Sequence, residues 1–289
     1  MLGLITCFFN PTNSNKLREN YLSFRRSLNR PIVTVELAFR DHPFVVEDSI
    51  KIRGSENNIM WQKERLLNIA LESLPPSIDR VAWLDADIIF ENPFWFEETE
   101  KKLESFPVVQ LFESAYEKGG DSSSPNTGVG FGKFKSVSDY LAPWPTEFPL
   151  TGLAWAARRD VLKSGFFDLG IIGSGDLYQI NAWLNYWNSD FVLRMPPKLR
   201  KQFLLWGWEP AQQVQGTIGF ISGRIEHLKH GPLKNREYYK RQQVLVADEF
   251  CPVEDLKIDK NGIYAWTQKG LRFRKQLESY FFNRQSDPC

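Results

Sequence analysis

Two acidic residues, Asp85 and Asp87, are separated by a single alanine and directly follow an apolar segment that runs from Val81 to Leu84. Carboxylates at this spacing can bind a hard divalent cation, which in turn neutralises phosphate oxygens. Acidic pairs at strand ends are also common as helix caps or solvated turns. The apolar segment favours the metal-binding interpretation, because it predicts that the carboxylates emerge from a buried strand, where an unused charge is costly.

Two of the three histidines in the chain, His227 and His230, lie three residues apart. A helix would place both on one face, but Gly231-Pro232 ends any helix here, so a strand end and a turn would have to bring the rings together. They could also be unrelated surface residues. If they share a cation with the acidic pair, the mixture of carboxylate and imidazole ligands favours Mn²⁺ over Ca²⁺.

A third candidate for chemistry is Asp176, which follows Gly173-Ser174-Gly175. Glycines let a substrate approach the backbone, and a carboxylate there could accept a proton from an attacking hydroxyl, an effect worth about 10²–10⁴ in rate. The same residue could instead cap the N-terminus of the helix predicted to follow it. Spacing alone favours the capping interpretation.

The apolar pattern predicts the elements that position these groups. Strands and helices alternate up to residue 84, and the third strand runs directly into Asp85. This order is typical of an α/β domain with a largely parallel sheet, in which ligands bind beyond the carboxyl ends of the strands. The predicted strands cover residues 2–9, 32–35 and 80–84, and the predicted helices cover residues 12–30 and 58–73.

The rest of the chain is less regular. Residues 117–130 are rich in Gly and Ser and form either a plain surface connection or a loop that covers the substrate. Residues 151–187 predict two helices that flank the glycine-rich stretch. We expect one domain over residues 1–245 and an extension over 246–289 that packs on it and ends in a helix at 267–283.

The composition is that of an ordinary globular protein, with 42% hydrophobic and 25% charged residues. The net charge is +1, so no basic excess indicates a nucleic-acid partner. Three scattered cysteines (Cys7, Cys251 and Cys289) argue against a disulfide framework and for a reducing compartment. No apolar stretch reaches the roughly 18 residues that a membrane helix needs. We therefore expect a cytoplasmic protein without a membrane span.

Taken in order, these motifs resemble those of the GT-A glycosyltransferases, and within them the β-1,4-galactosyltransferase-like group with the related galactosaminyl-transferring enzymes. The similarity runs from the first strand to about residue 241. Residues 4–10 resemble the family's opening nucleotide-contacting strand, and residues 61–68 resemble its helix with a basic residue followed by Leu-Leu-Asn. Residues 85–87 match its D-x-D motif, and the segment that ends at Asp176 is similar to the one that ends in the acceptor-activating acid.

The resemblance implies a GT-A fold, a Rossmann-like α/β architecture with a mostly parallel central sheet flanked by helices, here with a C-terminal helical extension. It implies that Asp176 is the base, and that Gly175 replaces an acidic residue that contacts the acceptor in the family. It also implies a metal site in which Asp87 and the two histidines bind the ion directly. The residues of this site are Asp85, Asp87, His227 and His230. The residues implied to contact the nucleotide-sugar donor are Thr6, Phe9, Asn10, Lys63, Asn68, Asp85 and Lys234.

On this basis we expect a metal-dependent enzyme that transfers a hexose, galactose or a related sugar, from a UDP-sugar to a hydroxyl of a glycan or other acceptor. We expect inversion at the anomeric carbon and Mn²⁺ or Mg²⁺ as the cofactor. A sugar nucleotidyltransferase is an alternative, but such enzymes normally carry a glycine-rich, basic phosphate loop where this chain has Phe8-Phe9-Asn10. Two others are a carbohydrate-binding or degenerate transferase without turnover, and a nuclease or hydrolase that uses the histidine pair.

Overall fold

A computed structural model of the chain describes residues 1–117, 128–131, 149–236, 240–247 and 249–284, apart from the side chains of residues 129, 233, 234 and 240. Cys289 and most of the loop predicted at 117–130 lie outside the described residues.

Strands and helices alternate along the described part of the chain. The strands are β1 (Leu2–Phe9), β2 (Val33–Phe39), β3 (Ser49–Gly54), β4 (Arg80–Leu84), β5 (Ile88–Phe90), β6 (Val108–Gln110), β7 (Ser114–Glu117), β8 (Gly128–Gly130), β9 (Pro149–Leu150), β10 (Ala154–Arg158), β11 (Ile218–Phe220), β12 (Arg224–His227), β13 (Leu256–Ile258) and β14 (Tyr264–Trp266). The α-helices are α1 (Asn15–Leu28), α2 (Lys63–Ser73), α3 (Trp95–Lys102), α4 (Gly175–Trp183), α5 (Asp190–Leu193), α6 (Pro197–Val214), α7 (Lys240–Ala247), α8 (Pro252–Asp255) and α9 (Leu271–Asn283). Three short 3-10 helices cover Glu56–Asn58, Arg159–Leu162 and Leu233–Arg236.

The central sheet has seven strands in the order β11-β6-β10-β4-β1-β2-β3. All neighbouring pairs are parallel except those that involve β10, which runs antiparallel to both β4 and β6. The predicted α/β class with a largely parallel sheet is therefore confirmed. The bounds predicted for β1 and β4 also agree with the structure, because both are apolar runs that end at polar or turn residues.

Helices cover both faces of this sheet. On one face, Leu66 and Leu67 of α2 contribute to a hydrophobic core with side chains from β1, β2 and β4. On the other face, Tyr21 and Phe24 of α1 pack in a second core with Trp95 of α3. The helices thereby fix the sheet in the middle of the molecule and leave its strand ends available for a site.

The first helix predicted within 151–187 is wrong. Residues Ala154–Arg158 form β10, which lies between β4 and β6 in the centre of the sheet. The segment Ala-Trp-Ala-Ala-Arg has good helix formers, but burial between two strands outweighs that preference. The second predicted helix is present as α4.

A second sheet of five strands, in the order β5-β12-β7-β8-β9, was not predicted from the sequence. Its strand β5 begins one residue after Asp87, and β12 ends at His227. The two strands pair antiparallel, with His227 opposite Ile88. This pairing brings the histidine segment to the acidic pair.

The C-terminal segment packs on the rest of the chain. Phe250 and Phe273 belong to the same buried cluster as Tyr178 of α4 and Phe203 of α6. The helix predicted at 267–283 is α9, and the domain boundary at residue 245 stays a prediction. None of the helices in the described ranges combines the length and apolar character needed to cross a membrane.

Candidate active site

Asp85 and Asp87 lie in the connection between the two sheets. Asp85 directly follows β4, and its amide donates a hydrogen bond to the carbonyl of Leu153 at 2.8 Å. Asp87 directly precedes β5. The acidic pair therefore sits at the carboxyl end of a central parallel strand, as the sequence predicted, and both carboxylates are partly shielded from solvent, with side-chain exposures of 25% and 19%.

The histidine segment is fixed by backbone and amide hydrogen bonds. After β12, the amide of Leu228 donates to the carbonyl of Asp87 at 2.7 Å. The side-chain amide of Asn20, on α1, donates to the carbonyls of Leu228 and Lys229 at 3.0 and 3.3 Å. The chain between the two histidines is thus held from both sides, which turns the His230 ring back towards Asp87.

Asp87, His227 and His230 form a compact cluster. The Nε2 atom of His230 lies 3.0 Å from Oδ2 of Asp87, and the Nε2 atom of His227 lies 3.5 Å from the same oxygen. One potential ligand atom from each residue lies within 4.8 Å of the others. Two ligand atoms that are each about 2.1 Å from one ion are themselves about 3 Å apart, so this spacing fits a shared cation.

The protonation states of His230 and Asp87 suit metal binding. Burial lowers the pKa of His230 to about 4, although Asp87 opposes the shift, so its imidazole is neutral at pH 7. Its Nδ1 atom is buried and has no hydrogen-bond partner in the described part of the chain. Burial raises the pKa of Asp87, but the two histidines outweigh that effect and hold it well below the usual value. A neutral imidazole and an ionised carboxylate are the forms that bind a metal.

Asp85 is not part of this cluster and instead pairs with Lys63. Lys63, the first residue of α2, forms an ion pair with the Asp85 carboxylate. Burial lowers the pKa of Lys63, but the charges of Asp85 and Glu64 outweigh it and raise the value above its usual range. The amine is therefore a permanent positive charge beside the acidic pair.

Asp176 is the second residue of α4, and its carboxylate accepts a hydrogen bond from the hydroxyl of Thr151. The preceding turn contains two residues with left-handed backbone, Gly173 (φ 90°) and Ser174 (φ 73°). Ser174, not Asp176, is the N-cap of α4, so the capping interpretation is wrong. The charge of Asp176 raises the pKa values of Lys63 and Asp85, which places it at the same edge of the sheet.

Three predicted donor contacts lie within β1 or directly after it and are engaged with the chain itself. The Thr6 hydroxyl donates to the carbonyl of Leu84 at 2.7 Å. The Asn10 amide bonds to both backbone groups of Ser14, at 2.8 and 2.9 Å. Phe9 packs edge-on against Trp61, with ring centroids 5.5 Å apart. These residues shape the strand end, and their contact with a donor stays a prediction.

The remaining two predicted donor contacts are Asn68 and Lys234. Asn68 is buried, and its amide bonds to both backbone groups of Phe166, at 2.7 and 3.0 Å, and to Asp168 at 3.0 Å. It thereby ties α2 to the segment before α4. The side chain of Lys234 lies outside the described residues, and its backbone belongs to a short 3-10 helix.

Three residues at the site were missed by sequence reasoning. Glu117, at the end of β7, has its Oε2 atom 3.9 Å from Nδ1 of His227, where it can orient the ring. Arg236 donates to the carbonyl of His230 at 3.2 Å and adds a second positive charge. Glu64 lies beside Lys63 and Asp176. Sequence reasoning assigned no role to any of them, although Glu64 lies in the segment 61–68 beside Lys63 and Arg236 lies two residues after Lys234.

Glu64 is expected to reduce stability at neutral and alkaline pH. Burial raises its pKa from 4.5 to about 7, an effect that Lys63 opposes and Asp176 reinforces. Between these values the folded chain binds more protons than the unfolded chain, so stability falls as the pH rises. Glu64→Gln lacks this titration, so its free energy of unfolding should exceed that of the wild type by about 2–3 kcal/mol more at pH 8 than at pH 5, as measured by urea denaturation. An equal difference at both pH values would contradict the shift.

No family model and no curated protein matches this chain. Solved structures with a similar fold include glucosyl-3-phosphoglycerate synthase from Mycobacterium tuberculosis in complex with Mg²⁺ and uridine diphosphate, at 12% identity and a TM-score of 0.39 over 86% of this chain and 77% of that one. A mannosyltransferase from Pyrobaculum calidifontis in complex with GDP-Man and Mn²⁺ is 14% identical, with a TM-score of 0.42 over 86% of this chain and 62% of that one. A protein from Bacillus anthracis provisionally named a glucose-1-phosphate thymidylyltransferase is 9% identical, with a TM-score of 0.41 over 91% and 99%. Both glycosyl- and nucleotidyl-transferring enzymes are named among these structures, so the shared fold does not distinguish between the two activities.

Proposed function

We propose that this chain is a metal-dependent glycosyltransferase that transfers a hexose, galactose or a related sugar, from a UDP-sugar to a hydroxyl acceptor with inversion. The observation that carries the proposal is the Asp87–His227–His230 cluster at the carboxyl end of the central sheet. The Lys63–Asp85 ion pair and the Asp176 carboxylate lie at the same edge. This combination of metal ligands, a fixed cation and a candidate base is what sugar transfer from a nucleotide donor needs.

The residues at the site fit a divalent cation. Four carboxylates lie close together, and the charge of the neighbouring lysine compensates only part of theirs. The four residues are Glu64, Asp85, Asp87 and Asp176. One carboxylate and two imidazoles form a mixed oxygen and nitrogen set that favours Mn²⁺, with Mg²⁺ as the second choice. When bound there, the cation supplies positive charge to the diphosphate of the donor.

The side chains of the protein divide the remaining tasks. Lys63 is held by Asp85 and offers a fixed positive charge near the diphosphate. Asp176, oriented by the Thr151 hydroxyl, accepts the proton of the acceptor hydroxyl as that oxygen attacks the anomeric carbon. Direct displacement with one base gives inversion of configuration.

A panel of UDP- and GDP-sugars tests this proposal directly. We expect nucleotide release from a UDP-hexose in the presence of Mn²⁺, weaker release with Mg²⁺, and none with EDTA. No release, together with no thermal shift by any nucleotide sugar, would contradict the proposal. Pyrophosphate release from UTP and a sugar 1-phosphate would instead identify a nucleotidyltransferase.

The structure of the first loop favours the transferase over that nucleotidyltransferase alternative. After β1, the chain is closed by the Asn10–Ser14 hydrogen bonds, and Ser14 caps α1 by accepting from the amide of Leu17 at 3.2 Å. These backbone groups are used within the turn, whereas a phosphate-binding loop presents its amides to the ligand.

A further inference from the structure

The carboxyl group of Glu64 occupies the space beside the residue that precedes Asp176. Glu64 is the second residue of α2 and is only 5% exposed. A Cβ atom on residue 175 would overlap the Glu64 carboxyl group and would lie 2.7 Å from its Cγ atom. Only glycine at position 175 therefore allows Glu64 to reach this place next to Asp176.

Glu64 and a neighbouring hydroxyl lack partners among the described side chains. Within the described residues the Glu64 carboxylate accepts a hydrogen bond from the backbone of Glu64 itself and none from another side chain. The hydroxyl of Tyr178 is fully buried and also has no hydrogen-bond partner there. Its ring packs against Gly170, at the start of the same glycine-rich turn, and the charge of Glu64 acts on it. Buried polar groups are normally paired, so a buried carboxylate without a side-chain partner beside a candidate base, with an unpaired hydroxyl near that carboxylate, indicates a ligand.

We infer that Glu64 is a specificity-determining residue that binds the acceptor, and that the acceptor is a neutral molecule with at least two neighbouring hydroxyl groups. One hydroxyl is the nucleophile and bonds to Asp176, while a second donates a hydrogen bond to Glu64. This inference rests on the proposed transferase function and names the class of acceptor that the site selects.

The negative charges of the site exclude an acceptor that is itself negatively charged. An acceptor that carried a phosphate or carboxylate at this point would meet Glu64, Asp85 and Asp176 together, and like charges in a shielded site repel strongly. Hydroxyl groups can donate to each of these carboxylates, so a sugar or another polyol is the chemistry that fits.

The test compares acceptor-dependent transfer with hydrolysis of the donor by water. Both rates are measured with a UDP-hexose and Mn²⁺, using free glucose, N-acetylglucosamine and glucose 6-phosphate as acceptor probes. We expect Glu64→Gln and Glu64→Ala to raise the KM for the neutral sugar about 10- to 100-fold, the loss expected for a charge-assisted hydrogen bond, and to lower transfer far more than hydrolysis. Glu72→Gln, an exposed residue at the other end of α2, is the matched control and should change neither rate.

A double variant that moves the carboxylate from position 64 to position 175 tests the geometry of this contact. In the double variant Glu64→Ala/Gly175→Asp, the new side chain enters the space that Glu64 leaves, so we expect partial recovery of the acceptor KM relative to Glu64→Ala. An unchanged KM in the Glu64 variants, a parallel loss of transfer and hydrolysis, or stimulation only by glucose 6-phosphate would each overturn the inference. So would intact donor hydrolysis without stimulation by either neutral sugar. A wild type that hydrolyses no nucleotide sugar contradicts the proposed function itself.

Discussion

Replacing Asp87 with asparagine is expected to lower Mn²⁺-dependent turnover of the nucleotide sugar by about 10³-fold. Asp87 contributes the only carboxylate of the cluster, and the Nε2 atoms of both histidines lie within 3.5 Å of its Oδ2 atom. Asparagine has the same shape, but its neutral amide is a weaker ligand and leaves the charge of the cation uncompensated. Turnover is measured as nucleotide release over a range of Mn²⁺ concentrations, and Mn²⁺ affinity is measured by calorimetry.

A matched substitution separates the loss of metal binding from any general effect of replacing an aspartate with asparagine. Asp41→Asn makes the same chemical change at an exposed position and should leave both turnover and Mn²⁺ affinity at wild-type values. Because asparagine preserves the shape of Asp87, the melting temperature of Asp87→Asn without metal should stay close to that of the wild type although its activity is lost. Wild-type Mn²⁺ affinity in Asp87→Asn would show that the cluster is not the metal site.

The parts of the site that lie on regular apolar strands could be predicted from the sequence. The run that forms β4 is five residues long and ends directly before Asp85, so the position of the acidic pair followed from hydrophobic pattern alone. The meeting of Asp87 with the histidines could not be predicted. It depends on β5 and β12, strands of three and four residues that are distant in sequence and too short to show a period.

Two other features depend on contacts that local sequence does not encode. The alanine-rich segment of β10 has the composition of a helix, and only its place between β4 and β6 makes it a strand. The contact between Glu64 and Gly175 joins the first turn of α2 to the start of α4. The family resemblance implies only that Gly175 replaces an acid, whereas in the structure a carboxyl group from another helix adjoins this glycine.

Replacing Asp176 with asparagine is expected to lower the rate of transfer to the acceptor by about 10²–10⁴-fold, the range for loss of a positioned general base. The amide oxygen of asparagine can still accept the hydrogen bond from the Thr151 hydroxyl, so the local geometry should persist. The residue lies outside the Asp87–His227–His230 cluster, and we therefore expect affinities for Mn²⁺ and UDP to stay within about twofold of the wild type. Transfer is measured as kcat at saturating donor, and affinities by calorimetry.

This combination of effects distinguishes a base from a donor-binding residue. A donor-binding role for Asp176 predicts that UDP affinity falls together with transfer, whereas a base affects the chemical step alone. Thr151→Val, which removes the hydroxyl that orients the carboxylate, should lower kcat by a smaller factor, about tenfold, with the same unchanged affinities. If Asp176→Asn retained more than about a tenth of wild-type kcat, a different group would have to accept the proton, and Glu64, which adjoins the same turn, would be the first to examine.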